Sequence, residues 1–352
     1  MPPLPLVPVP TVARLVDRSP ELVPWELLAA MVPPPRFAEV SFATFRPAAD
    51  QPTQAAAVEA LGVFVADIER SGAERKASWW QRARPAEQGL PGRYLDGGFG
   101  VGKTHLLASL WRAATGPKRF CTFVELTHFV GALGFAEAVE ALSGSRLLCI
   151  DEFELDDPGD TVLISTLLAT LTDRGVSLAV TSNTLPDRLG QGRFAAADFR
   201  REIQALSSRF EVIRIDGDDY RHRGFPGAPI PLSNAELDAI ARHTAEALFD
   251  DFDQVLVHLS QVHPSRYGAL LEGATSVFWR DVHPIEDQAT ALRMVVLVDR
   301  LYDRGLAVAS SGVPLDELFM PDLLLGGYRM KYFRALSRLV SLTRSEPISS
   351  PD

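Results

Sequence analysis

The twelve residues Arg93 to Thr104, Arg-Tyr-Leu-Asp-Gly-Gly-Phe-Gly-Val-Gly-Lys-Thr, constrain this chain more than any other segment. They set a glycine-rich turn between an apolar strand and the start of an amphipathic helix. Gly97, Gly100 and Gly102 let the backbone turn tightly and aim several N–H groups inward. Lys103 would reach the β and γ phosphates of a ligand, and the Thr104 hydroxyl would ligate Mg²⁺. The helix expected over His105 to Ala114 would turn its positive N-terminal end toward the anion. The loop therefore predicts a polyphosphate cradle made of Gly97, Gly98, Phe99, Gly100, Val101, Gly102, Lys103, Thr104 and His105. A bare Gly-x4-Gly-Lys-Thr can also be a glycine-rich turn with an exposed lysine, so its context decides.

That context is Leu147-Leu148-Cys149-Ile150-Asp151-Glu152, an apolar run of buried-strand type ending in two acids. It reads as a Walker B strand. Asp151, with Thr104, would hold the metal, and Glu152 would polarise the attacking water, as phosphoryl transfer dominated by positioning and electrostatics requires. The alternative is a strand whose end is solvated by two carboxylates. No Asn-Lys-x-Asp guanine signature is present, which disfavours a GTPase; ATP and Mg²⁺ are the expected cofactors.

Composition narrows the class. A chain of 352 residues can form about two domains of ~150 residues. A formal net charge of −10 argues against binding nucleic acid chiefly through bulk electrostatics, so strong nucleic-acid binding is not expected. The two cysteines, Cys121 and Cys149, sit in apolar runs read as strands and are expected to be buried and reduced. The N-terminal residues lack a basic region followed by an apolar core, and no run of ~18 apolar residues occurs later. A cytoplasmic protein that is not integral to a membrane is the expectation.

Residues 1–35 are proline-rich, with a short helix expected around Trp25 to Met31. A helical lead-in over 36–89 includes helical spacing from Gln54 to Arg70 and again from Lys76 to Gln88. Over 90–225, strands alternate with helices, implying a parallel sheet covered on both faces. Strands are expected near 93–96, 120–126, 146–151, 176–182 and 210–215; one strand and helix thus intervene between the two motifs and another strand follows Asp151, which fits P-loop proteins with a strand inserted between the Walker A and Walker B strands. Asp157-Pro158-Gly159-Asp160 reads as a helix start, with the helix running to about Asp173. Residues 226–352 read as a mostly helical region with a helix near Asn234 to Leu259. Within it, Leu301-Tyr302-Asp303-Arg304-Gly305-Leu306 echoes Leu171-Thr172-Asp173-Arg174-Gly175-Val176, which suggests a strand-bearing unit.

Asn183 closes the strand after Walker B, where a polar side chain can reach the γ-phosphate or the lytic water, the sensor 1 position of AAA+ type ATPases. Its alternative is a turn-forming Asn leading into Thr184-Leu185-Pro186. An arginine acting across a subunit interface would come from the residues that follow, with Arg193 first and Arg200 or Arg201 second. Lys103, Glu152, Asn183 and Arg193 are thus the candidate catalytic residues, and Thr104 and Asp151 the candidate metal ligands. Phe129-Val130-Gly131 has the form of a polypeptide-gripping loop, but one turn of an amphipathic helix is the preferred reading.

With these residues in view, the chain resembles the AFG1-like ATPases from about Arg36 to Thr343. The likeness lies in Gly97 to Thr104, in Asp151-Glu152-Phe153 with Asp157 and Asp160, and in Thr181-Ser182-Asn183 followed by Pro186-Asp187. Asp219-Tyr220-Arg221, Leu301-Tyr302-Asp303-Arg304 and Leu336-Ser337-Arg338-Leu339 also match. The sequence departs from the family pattern around Phe129 to Leu142 and at Phe194-Ala195-Ala196-Ala197. The resemblance implies an AAA+ related P-loop NTPase fold, α/β with a parallel sheet flanked by helices. It also implies a role in bacterial division as a partner of the FtsZ ring, while mitochondrial relatives act in protein quality control. The expected function is ATP hydrolysis that remodels or regulates a protein partner, with ATP-dependent homo-oligomers. Alternatives are a DNA-linked ATPase of the helicase-loader type and a nucleotide-dependent scaffold with little turnover.

Overall fold

The computed structural model describes residues 13–20, 24–78, 91–98, 100–155, 158–186, 189, 200–217 and 227–343. They fall into two compact units, one within Leu22–Arg223 and the other within Met1–Glu21 and Gly224–Asp352.

In the first unit, α1 (Pro24–Ala29) and α2 (Pro52–Ser78) precede β1 (Gly92–Gly97) and α3 (Lys103–Ala113). Then come β2 (Lys118–Thr122), α4 (Phe123–Leu133), α5 (Phe135–Ser143), β3 (Leu147–Asp151), α6 (Pro158–Asp173), β4 (Ser177–Ser182), α7 (Arg200–Ser207) and β5 (Phe210–Ile215). The strands form one parallel sheet in the order β2-β3-β4-β1-β5. β4 thus lies between β1, which leads into the glycine loop, and β3, which ends in Asp151.

Alternation along the strands assigns the two faces. Tyr94, Leu148, Ile150 and Val180 pack with α4 to α7 through residues such as Phe129, Val139, Leu168 and Ile203. Leu95, Cys149, Ala179 and Ile213 face α2 and α3 through Leu61, Phe64, Leu106 and Leu107. Both cysteines are buried and neither is in a disulfide, and burial pushes the Cys149 thiol well above its ordinary range. The C-terminal ends of all five strands share one edge of the sheet, where α/β sheets place their ligands.

The strand expected over 120–126 stops at Thr122. Its hydroxyl accepts from the Glu125 N–H, and the Glu125 carboxylate accepts from the Thr122 N–H at 2.7 Å. This capping box starts α4 at Phe123 and outweighs the β-propensity of Phe123-Val124. Phe129 and Val130 are buried inside α4, the helical alternative for that segment.

The second unit contains α8 (Asn234–His243), β6 (Ala247–Asp251), α9 (Phe252–Gln261), α10 (Tyr267–Leu270), β7 (Ser276–Val282), α11 (Gln288–Arg304), β8 (Ala307–Gly312) and α12 (Arg329–Leu342). The single helix expected over 234–259 is therefore two helices separated by a strand. Ala247-Leu248-Phe249 is too short an apolar run to declare its period, and parallel pairing with β7 settles it as a strand. The order is β6-β7-β8, all parallel. The two echoing segments take the same local form, the one any helix-turn-strand unit converges on: α6 and α11 are each followed by a left-handed glycine, Gly175 or Gly305, and then a parallel strand.

An early segment joins this second sheet. Ala13 bridges Leu248 in parallel, the Leu15 N–H donates to Asp250 Oδ2 at 2.8 Å, and Leu15 is fully buried in the core around Trp279. Arg18 donates to the carbonyls of Leu270 and Glu272.

Candidate nucleotide site

The glycine loop sits at the C-terminal end of β1, and two of its glycines are required by geometry. Gly102 adopts φ +92°, and a Cβ there would lie 2.5 Å from the Phe45 ring; a Cβ on Gly97 would collide with the Ile215 carbonyl oxygen. Only glycine fits such positions without displacing its neighbours. α3 begins at Lys103, directly behind Gly102, so its first-turn N–H groups face the loop.

Lys103 is 9% exposed. Its ammonium donates to the carbonyls of Gly97 at 2.8 Å and Gly98 at 2.6 Å, and to Asn183 Oδ1 at 2.8 Å. The Asn183 amide donates to Glu154 Oε1 at 3.2 Å. Next to the lysine, the Thr104 hydroxyl donates to Asp151 Oδ1 at 3.2 Å, and the Thr181 hydroxyl donates to the same oxygen. The structure thus brings together Lys103, Thr104, Asp151 and Asn183 from α3 and the tips of β3 and β4.

Glu152 follows Asp151 with φ +54°, a left-handed conformation uncommon for glutamate. Its N–H donates to Thr181 Oγ1 at 3.0 Å, and the Phe153 N–H donates to the Thr181 carbonyl at 2.7 Å. The neighbouring strand therefore holds the kink, and such strain concentrates at working sites.

His105 turns to the lead-in segment. Its Nε2 lies 3.1 Å from Thr44 Oγ1 and 3.2 Å from the Ser41 carbonyl, and its ring meets Phe45 edge-on at 5.5 Å. Gly98, Gly100 and Val101 complete the loop. Phe99 and Arg193, like Asp157, lie outside the described residues. Of the two further arginine candidates, Arg200 opens α7 and Arg201 is exposed on it.

A cavity of about 560 Å³ opens beside the loop, lined by Asp96, Gly97, Gly98, Asn183, Thr184, Leu185, Arg214, Ile215, Asp216 and Gly217. Asp96, Thr181 and Glu154 are site neighbours that the motifs did not single out, whereas Phe45 lies in the lead-in segment whose aromatic residues could be read either as core or as folding over the base. Of the three, only Thr181 was hinted at, by the Thr-Ser-Asn strand end.

The residues present suit a magnesium–triphosphate. A cradle that excludes Cβ atoms, a buried ammonium, and a hydroxyl with a carboxylate as hard oxygen donors form a matching donor set. Asp151 receives the Thr104 hydroxyl and Glu154 the Asn183 amide, so carboxylates stand next to the residues that flank Lys103, a setting compatible with a divalent cation accompanying phosphate.

The model of the AFG1-like ATPase family matches residues 24–252 and 234–350. The chain belongs to the AFG1-like ATPase family. This AFG1-like chain is 27% identical over 313 residues to the cell division protein ZapE of Escherichia coli strain K12, covering 76% of its own length and 82% of that protein. It is 29% identical over 119 residues to lactation elevated protein 1 homolog B of Danio rerio, covering 33% of itself and 23% of that protein. Among solved structures, the AFG1-like chain is similar to DnaI (19% identity, 53% of this chain and 95% of that one, TM-score 0.38). It is also similar to AMPPCP-bound DnaA from Aquifex aeolicus (14% identity, 51% of each chain, TM-score 0.38).

Proposed function

We propose that this AFG1-like chain is a magnesium-dependent ATPase that couples hydrolysis to the remodelling of a protein partner. The observation that carries the reading is the convergence on one strand edge of Lys103, Thr104, Asp151 and Asn183, each bonded to another of the four or to the glycine loop. Lys103 exchanges its carbonyl contacts for phosphate oxygens, and loop N–H groups with the first turn of α3 hold the remaining phosphate charge. Thr104 and Asp151 hold Mg²⁺, which when bound neutralises charge developing on the phosphoryl oxygens. Glu152 orients a water and accepts its proton, with its carboxylate aimed by the backbone kink. Asn183 links Lys103 to the acids beyond β3 and reads the state of the terminal phosphate. Arg193 is proposed as the residue acting in trans.

Resemblance to a cell division protein supports a partner in bacterial division, with FtsZ proposed as that partner, and ATP-dependent self-association supplies the interface at which a trans arginine acts. Among the described residues no helix is long and apolar enough to cross a membrane, and a cytoplasmic location is part of the proposal.

The test measures binding of a fluorescent ATP analogue, ATP turnover and oligomeric state with and without ATP, alone and with FtsZ polymer. Lys103→Ala is expected to lose binding, turnover and assembly, whereas Glu152→Gln keeps binding and loses turnover by about 10²-fold or more. A wild type that binds but neither turns over nor assembles removes the motor reading. Full hydrolysis by Glu152→Gln removes that residue as the base.

A further inference from the structure

We propose that Glu154 is a positioning residue of the nucleotide site: its carboxylate takes the Asn183 amino group, so that the amide turns its oxygen, and not its nitrogen, toward Lys103. The inference rests on the nucleotide reading above and deepens it, because it specifies which kind of hydrogen-bonding group the tip of β4 offers beside the loop.

An asparagine amide has two ends of nearly equal shape and opposite polarity, and rotation about its last bond exchanges them. The neighbours decide which end points where. Lys103 Nζ stands 2.8 Å from Asn183 Oδ1, and an ammonium can only donate. Asn183 Nδ2 stands 3.2 Å from Glu154 Oε1, and a carboxylate can only accept. Turning the amide over would set donor against donor at the lysine and acceptor against acceptor at the glutamate. The two contacts therefore select the same orientation.

The backbone on both sides is held, which leaves the amide as the adjustable part. Glu154 is 6% exposed and lies between Phe153 and Leu155, both fully buried. Phe153 meets the Phe123 ring edge-on at 5.3 Å, and its N–H donates to the Thr181 carbonyl at 2.7 Å. That bond ties the residues after β3 to β4 two positions before Asn183, so Glu154 and Asn183 emerge side by side. Beyond Asn183, the Thr184 N–H donates to Ser182 Oγ at 3.1 Å, and the Tyr94 hydroxyl donates to the Thr184 carbonyl at 2.5 Å.

The consequence is one of polarity. Asn183 lines the cavity beside Gly97 and Gly98. When Lys103 turns to phosphate, the oxygen it leaves is an acceptor, which cannot bond to phosphate oxygens but takes a hydrogen from water. Asn183 thus reads the terminal phosphate through Lys103 and an oriented water, while its nitrogen stays on Glu154.

The experiment uses full-length protein and measures kcat and KM for ATP, Kd for a fluorescent ATP analogue with Mg²⁺, and thermal unfolding. Glu154→Leu removes the acceptor and lets the amide turn. Its kcat is expected to fall about 5- to 20-fold while Kd stays within about threefold. In an Asn183→Ala background the same substitution should change kcat by no more than about twofold, because no amide is left to orient. A folded Glu154→Leu with wild-type kcat overturns the proposal. An equal fall in both backgrounds also does, since a purely structural role would give it, and so does a loss of binding as large as the loss of kcat. The second arm tests polarity. Asn183→Asp sets two carboxylates in contact and is expected to lose kcat by about 10²-fold. Adding Glu154→Gln restores a donor to that contact, keeps an oxygen toward Lys103, and should recover kcat by about 10-fold or more. No recovery overturns the proposal, because the site then needs the nitrogen end of Asn183. Should Glu154→Leu not fold, this arm decides alone, its substitutions being nearly isosteric. A wild type that does not turn over ATP sinks the hydrolysis reading and this inference together. A wild type that turns it over, with any of the failures above, sinks the inference alone.

Discussion

Lys103 Nζ lies 2.8 Å from Asn183 Oδ1, joining the first turn of α3 to the tip of β4. Because the Asn183 amide also donates to Glu154, one side chain connects the loop lysine with the acids beyond β3. Any ligand that draws Lys103 away changes the hydrogen bonding of that whole row.

Asn183→Ala is expected to lower kcat about 10- to 100-fold while changing KM less, because the lost contact reports on charge that develops late. Steady-state ATPase assays decide it, and a change confined to KM would reduce Asn183 to a binding contact.

Thr181→Val keeps the shape of the side chain and removes the hydroxyl that serves both Asp151 and the Glu152 N–H. The apparent affinity for Mg²⁺ should fall about 10-fold, as expected when a group orienting a metal ligand is lost. A magnesium titration of turnover measures it. Excess Mg²⁺ should recover only the part of the rate that depends on Asp151.

Gly102→Ala places a Cβ against Phe45 and forces a β-carbon into φ +92°. A cost of about 1–3 kcal/mol is expected in urea unfolding. The double variant with Phe45→Ala removes the collision but not the torsional strain, so comparison of the single variants with the double one separates the two terms.

Asp299 on α11 receives Arg334 at 2.6 Å and also Arg338, both from α12. Burial alone would raise its pKa, but the two guanidinium groups outweigh that and hold it below the usual Asp range. A depressed folded-state pKa contributes stability that is present above the unfolded value and is lost as pH falls through the folded one. The melting temperature of wild type should therefore decline as pH drops below about 4. The unfolding free energy of Asp299→Asn should start lower at neutral pH by about 3–5 kcal/mol, because buried Arg334 and half-buried Arg338 lose the Asp299 charge, and its stability should vary less over the same acid window.

Legibility followed the locality of the chemistry. The glycine loop and the Leu147–Glu152 strand could be read because their features lie in unbroken stretches, and the inserted strand followed from simple alternation. The start of α4 was also written locally, in the Thr122–Glu125 spacing, but competed with the apolar residues between. β6 was hidden because three apolar residues fit either period. Asp96 and Glu154 could not be found from pattern: a buried carboxylate before a loop and an acid beyond a strand gain meaning only from contacts made with other strands and loops.

The bridge from Ala13 to Leu248 sets an order of events on the ribosome. The pocket that takes Leu15 is built from residues translated more than two hundred codons later, whereas the described residues that the glycine loop packs against, such as Phe45 and Ile215, come from one uninterrupted stretch. The nascent protein can therefore complete the unit that carries the glycine loop first, holding Ala13 to Leu15 in reserve until β6 and its neighbours emerge to receive them.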